Sequence, residues 1–163
     1  TATSMMRPLP RRRLRLSMIG LQLASSPGDR RKEPRVPHLR IEYSASLEAR
    51  ADVPGLVAVL HEAMRTSGLF ELGGIRVRAY RADHVAIADL HPENAFAHIT
   101  LRMGFGRSVE DRKRVGDALM AAARAALAPL FETPHFALSL EVQEIDAVLT
   151  WKGNAMHARL RGK

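Results

Sequence analysis

A chain of 163 residues, 46% apolar but only 5% aromatic, suits one domain with a tail, and its core must be filled by Leu, Val, Ile, Ala and Met. The absence of cysteine excludes disulfides, zinc–thiolate sites and a cysteine nucleophile. The net charge of +8 suggests a nucleic-acid partner, yet residues 1–36 hold nine Lys/Arg against two Asp/Glu while residues 37–163 hold sixteen against fifteen, so the globular part has no basic excess and no nucleic-acid partner is expected.

Residues 1–36 read as a basic disordered extension. Arg7-Pro8-Leu9-Pro10-Arg11-Arg12-Arg13 and Ser25-Ser26-Pro27-Gly28-Asp29-Arg30-Arg31-Lys32 can bury little apolar surface against a large ordering entropy. Thr1-Ala2-Thr3-Ser4 before Met5 has the look of residues left over from expression. Leu16–Ala24 is mildly apolar behind Arg11–Arg15, but it is broken by Ser17, Gly20 and Gln22 and has no cleavage site. No apolar run approaches the roughly 20 residues that span a bilayer. No membrane association is expected, and the location expected is cytoplasmic.

The pattern changes at Pro37, where a domain over residues 37–163 is expected to begin. His38–Ser44 alternates as a strand does. Asp52 is placed to cap a helix, with Pro54 in the first turn, where a missing N–H costs nothing. Leu56, Val59, Leu60 and Met64 form its apolar stripe, and Gly68 is a natural stop. A second strand runs over Ile75–Tyr80. The order then repeats: strand Ala95–Met103, a helix capped by Ser108 and carrying Val115, Leu119, Ala123, Leu127 and Leu130 until Pro134, and strand Phe136–Glu144.

Two strand–helix–strand units with right-handed crossovers predict an α/β (α+β) fold, a four-stranded sheet with two helices on one face. The helix-free face is expected to keep Leu and Val side chains and to be covered by oligomerisation.

Of the seven histidines, His38, His61, His84, His91, His98, His135 and His157, none pair at metal-ligand spacing along a helix, and no metal is expected. His98, inside a strand, reads as a structural histidine. Gly104-Phe105-Gly106 lacks the third glycine and the lysine of a phosphate loop and reads as a tight strand-to-helix turn. That turn still sets Arg107 beside a helix N-terminus, a ready anion site. Arg76 and Arg78 share one side of a strand; they are either a solvated edge or a second anion contact. Glu62, Asp83 and Asp89 make no paired-carboxylate arrangement, and there is no nucleophile elbow. Read from the residues, this is a small α/β domain with candidate anion-binding arginines.

Val36-Pro37-His38-Leu39, Asp52-Val53-Pro54-Gly55-Leu56, Gly74-Ile75-Arg76-Val77-Arg78, Phe96-Ala97-His98-Ile99-Thr100-Leu101 and Gly104-Phe105-Gly106-Arg107-Ser108, in that order and spacing, resemble the 5-carboxymethyl-2-hydroxymuconate delta-isomerase family of the tautomerase superfamily. The resemblance runs from Pro37 to about His157. It implies a homotrimeric, cofactor-independent enol–keto isomerase of aromatic-compound catabolism acting on a small-molecule carboxylate. It implies Pro37 as the catalytic base, and Arg76 and Arg107 as the arginines that bind substrate carboxylates and stabilise charge on oxygen. His38 follows the proline beside the substrate. The Trp151–Leu160 segment is expected to reach a neighbouring subunit.

One feature departs from that pattern. The family base is an N-terminal proline, but here Pro37 follows Val36, so its nitrogen is a tertiary amide with no basicity. Three readings compete: a start mis-assigned upstream of a GTG codon at Val36, a precursor cut before Pro37, or a binding relative that keeps its basic tail. Another 2-hydroxydienoate or enol as substrate is a further alternative.

Overall fold

The computed structural model describes residues 36–162; the expectations for residues 1–35 lie outside them. In chain order the elements are β1 His38–Ser44, α1 Val53–Thr66, β2 Arg76–Ala82, β3 Ala95–Gly104, α2 Val109–Ala126, β4 Phe136–Ile145 and α3 Ala155–Arg161. The sheet order is β2-β1-β3-β4. β1 runs parallel to β2 and β3 parallel to β4, while the central pair β1 and β3 is antiparallel. The two units are therefore joined back to back through their first strands, each closed by a crossover helix.

Both long helices start where the caps predict. The Asp52 carboxylate accepts the Gly55 N–H at 2.9 Å, and the Ser108 hydroxyl accepts the Asp111 N–H at 3.0 Å, each satisfying a donor the helix leaves open. Gly68, at φ +70°, ends α1 in the left-handed conformation that glycine adopts without penalty. The second helix is shorter than its periodicity suggests. It stops at Ala126 and gives way to a 3-10 turn over Ala128–Glu132. Pro129 is the cause: it cannot donate to Ala125 and it disfavours helical geometry at Ala128.

Leu39 and Ile41 of β1 and Ile99 and Leu101 of β3 meet Leu56, Leu60 and Met64 of α1 and Val115 and Leu119 of α2 in one buried cluster. Val77, Ala79, Leu138, Leu140 and Val142 of the edge strands pack on it from the flanks.

The opposite face of the sheet differs from expectation. It does not keep Leu and Val. The pairing register puts His38, Arg40 and Glu42 of β1 in line with Arg76, Arg78 and Tyr80 of β2 and with Arg102, Thr100 and His98 of β3. Ser139, Glu141 and Gln143 of β4 complete the rows. The strands spend most of their apolar residues on the helix side, and apart from Phe96 and Ala137 at the start of β3 and β4 the helix-free face is largely polar and charged. Thr100 is nonetheless 4% exposed, enclosed by longer neighbours.

The third helix, α3, was not expected. It folds back on its own chain: the Asn154 side-chain amide donates to the Gly73 carbonyl at 2.9 Å, and His157 Nδ1 lies 3.0 Å from a Glu71 carboxylate oxygen. Arg161 pairs with the same carboxylate. This clasp gives a direct test. Glu71→Gln should raise amide hydrogen exchange across Ala155–Arg161 roughly fivefold, about 1 kcal/mol of local opening. Unchanged exchange would mean that the Glu71 contacts do not hold the helix. Among the described residues no helix is long and apolar enough to cross a membrane.

Candidate active site

Pro37 sits immediately before β1, the inner strand of its pair, and is buried, as is Val36 ahead of it at 6% exposure. The Pro37 carbonyl accepts the Arg76 N–H at 3.3 Å, which locks the head of β1 to the head of β2. Because β3 is antiparallel to β1, its C-terminal end, and hence the turn carrying Arg107, reaches the same end of the sheet. Topology thus gathers Pro37, Arg76 and Arg107, which are far apart in sequence, at one end. It also brings α3 there. A methyl group placed on Gly74 would lie 3.4 Å from Pro37 Cδ and 3.5 Å from His157 Cε1, so the two rings flank that glycine.

The arginines are held by backbone carbonyls. Arg76 Nη1 donates to the Gly74 carbonyl at 2.9 Å. Arg107 donates to the Gly104 carbonyl at 3.2 Å and the Leu69 carbonyl at 2.7 Å, and its guanidinium lies 5.1 Å from the centre of the Phe70 ring. The carbonyl contact orients the Arg76 guanidinium without cancelling its charge, which leaves it able to attract a carboxylate. The glycine turn itself is partly satisfied from within: Glu144 accepts the Gly106 N–H at 3.3 Å and pairs with Arg112 at 3.2 Å. This agrees with reading that turn as a strand-to-helix connection.

His38 lies among cations. Arg78 is 3.1 Å from its Nδ1, and β2 and β3 place Arg76 and Arg102 directly beside it. Burial first, then the charges of Arg78, Arg76 and Arg102, hold its imidazole below its ordinary value of 6.5. His38 is therefore neutral at pH 7. As pH falls below 6.5 the unfolded chain takes up this proton before the folded chain does, so stability drops, and the drop ends once the folded imidazole has also charged. Urea unfolding at pH 7.5 and pH 5 should reveal this loss in the parent chain and a smaller one in His38→Gln. Identical pH dependence in the two would remove His38 as its source.

A cavity of about 540 Å³ opens at this end, lined by Val36, Trp151, Lys152, Asn154, His157 and Arg161 among others. His157 is buried, and its Nε2 has no hydrogen-bond partner among the described residues. Sequence reasoning missed these C-terminal residues and Arg102. Arg102 could have been found from the alternation of β3, which sets it in the row of His98 and Thr100. For α3 the available signal was Asn154, which caps the helix by accepting the Met156 N–H at 3.0 Å.

Compared with known proteins, residues 37–160 match the family model described as 5-carboxymethyl-2-hydroxymuconate isomerase. The chain is 37% identical over 123 residues to the 5-carboxymethyl-2-hydroxymuconate Delta-isomerase of Escherichia coli, spanning 76% of this chain and 98% of that protein. The crystal structure of a 5-carboxymethyl-2-hydroxymuconate isomerase from Deinococcus radiodurans R1 superimposes with a TM-score of 0.73 at 40% identity, covering 78% of this chain and 96% of that one. A macrophage migration inhibitory factor-like protein from Entamoeba histolytica, at 8% identity and a TM-score of 0.51 over 72% of this chain and 95% of its own, shares the fold alone. With the fold, the matched span and the identities in agreement, this chain belongs to the 5-carboxymethyl-2-hydroxymuconate isomerase family of the tautomerase fold.

Proposed function

We propose that the domain from Pro37 onward is a cofactor-independent isomerase that converts 5-carboxymethyl-2-hydroxymuconate to its 2-oxo-3-ene isomer in the catabolism of aromatic compounds, with the Pro37 nitrogen as general base. The observation that carries this is the position of Pro37: buried, at the head of an inner strand, beside Arg76 and at the sheet end that also holds Arg107.

As a free secondary amine, Pro37 would have its basicity lowered by burial and by the nearby guanidinium groups, since both disfavour the cation. That moves it toward the working pH, where a general base is most effective. Pro37 takes the proton of the 2-hydroxyl. Electrons of the O–H bond form the C2 carbonyl, the C2–C3 and C4–C5 double bonds shift to C3–C4, and the proton is returned to C5. Arg76 and Arg107 hold substrate carboxylates and stabilise negative charge on the C2 oxygen during the transfer. His38, neutral among arginines, faces the substrate as a hydrogen-bonding group without adding a further positive charge. With Val36 attached, Pro37 has neither proton nor basic lone pair, so residues 1–36 are best read as an extension absent from the active enzyme.

The active form is a cytoplasmic homotrimer in this reading. Among the described residues both edge strands, β2 and β4, have one side open to a further strand, and Val148, Leu149 and Trp151, the last 86% exposed, present an apolar surface to a neighbour. Ultraviolet absorbance of 5-carboxymethyl-2-hydroxymuconate with a chain beginning at Pro37 tests the function. Ketonisation that follows enzyme concentration supports it, and no rate above background overturns it.

A further inference from the structure

The far end of the sheet from Pro37 carries a second constellation that the isomerase chemistry does not use. The connection from β2 to β3 brings His91 and Glu93 against His135, which immediately precedes β4. One ligand atom from each residue lies within 4.8 Å of the other two. The imidazoles of His91 and His135 are stacked, with centroids 4.2 Å apart and planes 9° apart, and His135 Nε2 is 3.5 Å from a Glu93 carboxylate oxygen.

The surroundings orient these donors. His135 Nδ1 is 3.3 Å from the Asn94 side-chain oxygen, an acceptor only. That partner puts the ring proton on Nδ1 and leaves the Nε2 lone pair turned toward Glu93, the outer-sphere arrangement that prepares a histidine for a metal. Asn94 is itself fixed, donating to the Asp89 carboxylate at 2.8 Å and the Ile87 carbonyl at 3.1 Å. Arg50 clamps the Glu93 carbonyl at 2.8 Å, and the Ala95 N–H donates to the His135 carbonyl at 2.8 Å, so the two connections share a backbone frame. Ala88 and Leu90, both non-glycine, are held at φ +47° and +66° in this connection, a strain that persists only where surrounding contacts over-determine the backbone. His91 is the one donor that must turn. Its Nδ1 is 3.3 Å from the Glu93 N–H, a long contact, and its exposed ring can rotate away from it to present a nitrogen beside His135 Nε2.

We propose that His91, Glu93 and His135 form a binding site for a divalent transition-metal cation of the zinc type, with water completing the coordination. Two imidazole nitrogens and one carboxylate oxygen suit a borderline cation better than magnesium or calcium, which favour all-oxygen sets. The ion ties the β2–β3 connection to the start of β4. The site is remote from Pro37 and independent of the isomerase reading.

The test is calorimetric titration of zinc chloride into the full chain, free of any histidine tag and previously stripped with chelator, beside His91→Ala, His135→Ala and Asn94→Ala. The expected result is one saturable zinc per chain, lost in both histidine variants and weakened about 10- to 100-fold in Asn94→Ala. The exposed position of His91 keeps that variant folded even if His135→Ala is not. The proposal is overturned if the parent chain binds no zinc saturably, or if His91→Ala binds it as the parent does.

Discussion

A chain that starts at Pro37 should ketonise 5-carboxymethyl-2-hydroxymuconate about 10²- to 10⁴-fold faster than the 163-residue form, the range that a positioned general base contributes. The reason is the chemistry of one bond. An acyl group on the proline nitrogen converts an amine into an amide, and an amide accepts no proton near neutral pH. The arginines are untouched by that change, so the long form should still bind substrate, and the difference should appear in kcat more than in KM. Pro37→Ala in the trimmed chain keeps a terminal amine but removes the ring that fixes it, and should fall between the two forms. Intact mass must confirm the terminus, because a single retained residue would give the long-form result. Equal rates from trimmed and full-length chains would sink the proline as base while leaving the fold assignment intact.

The second large effect concerns the two arginines. Arg76→Ala and Arg107→Ala, each made in the trimmed chain, should lower kcat/KM by about 10²- to 10³-fold, the cost of removing one preorganised group that stabilises charge on oxygen. Arg114→Ala is the control: Arg114 is an exposed residue of α2 paired with Asp111 at 2.8 Å, and its loss should leave the rate unchanged. The two active-site variants should differ in stability. Arg107 holds two carbonyls and lies over the Phe70 ring, so its removal should also cost about 1–3 kcal/mol of folding free energy, whereas Arg76 holds one carbonyl and should cost less. Assays well below the melting temperature of Arg107→Ala separate the two effects. Losses no greater than that of Arg114→Ala would remove these arginines from the site.

The four strands and two long helices could be read in the sequence because their signals are local. Strand alternation, Asp52 and Ser108 as caps, and Gly68 as a stop each act over a few residues. The end of α2 was legible too, but in Pro129 rather than Pro134. The alanines from Ala121 to Ala126 favour helix so strongly that the periodicity runs on past them, while one proline two residues past Leu127 ends it. Helix α3 offered one local signal, the Asn154 cap, which is too little to mark a helix. Its seven residues could not hold a helix alone, and the contacts that hold it reach back more than 80 residues to Glu71 and Gly73. The roles of Pro37, Arg76 and Arg107 came from resemblance, since spacing alone offered only cations near a turn. The nearness of Arg107 to the other two depends on β1 and β3 being antiparallel, a pairing that no local pattern encodes. The His91, Glu93 and His135 group stayed hidden for the same reason: its two halves sit on different connections.

The charged helix-free face sets the thermodynamic character of any assembly built over it. A sheet that presented Leu and Val would associate through released water, with a large negative heat-capacity change and weakening in the cold. Rows of His38, Arg40, Arg76, Arg78 and Arg102 facing Glu42 and Glu141 give little of that. Contacts across them would draw on ionic attraction, which ions at 1 M screen within about 3 Å. In subunit mass measured by light scattering, the contacts across this face should accordingly answer to ionic strength, and those of Val148, Leu149 and Trp151 to temperature.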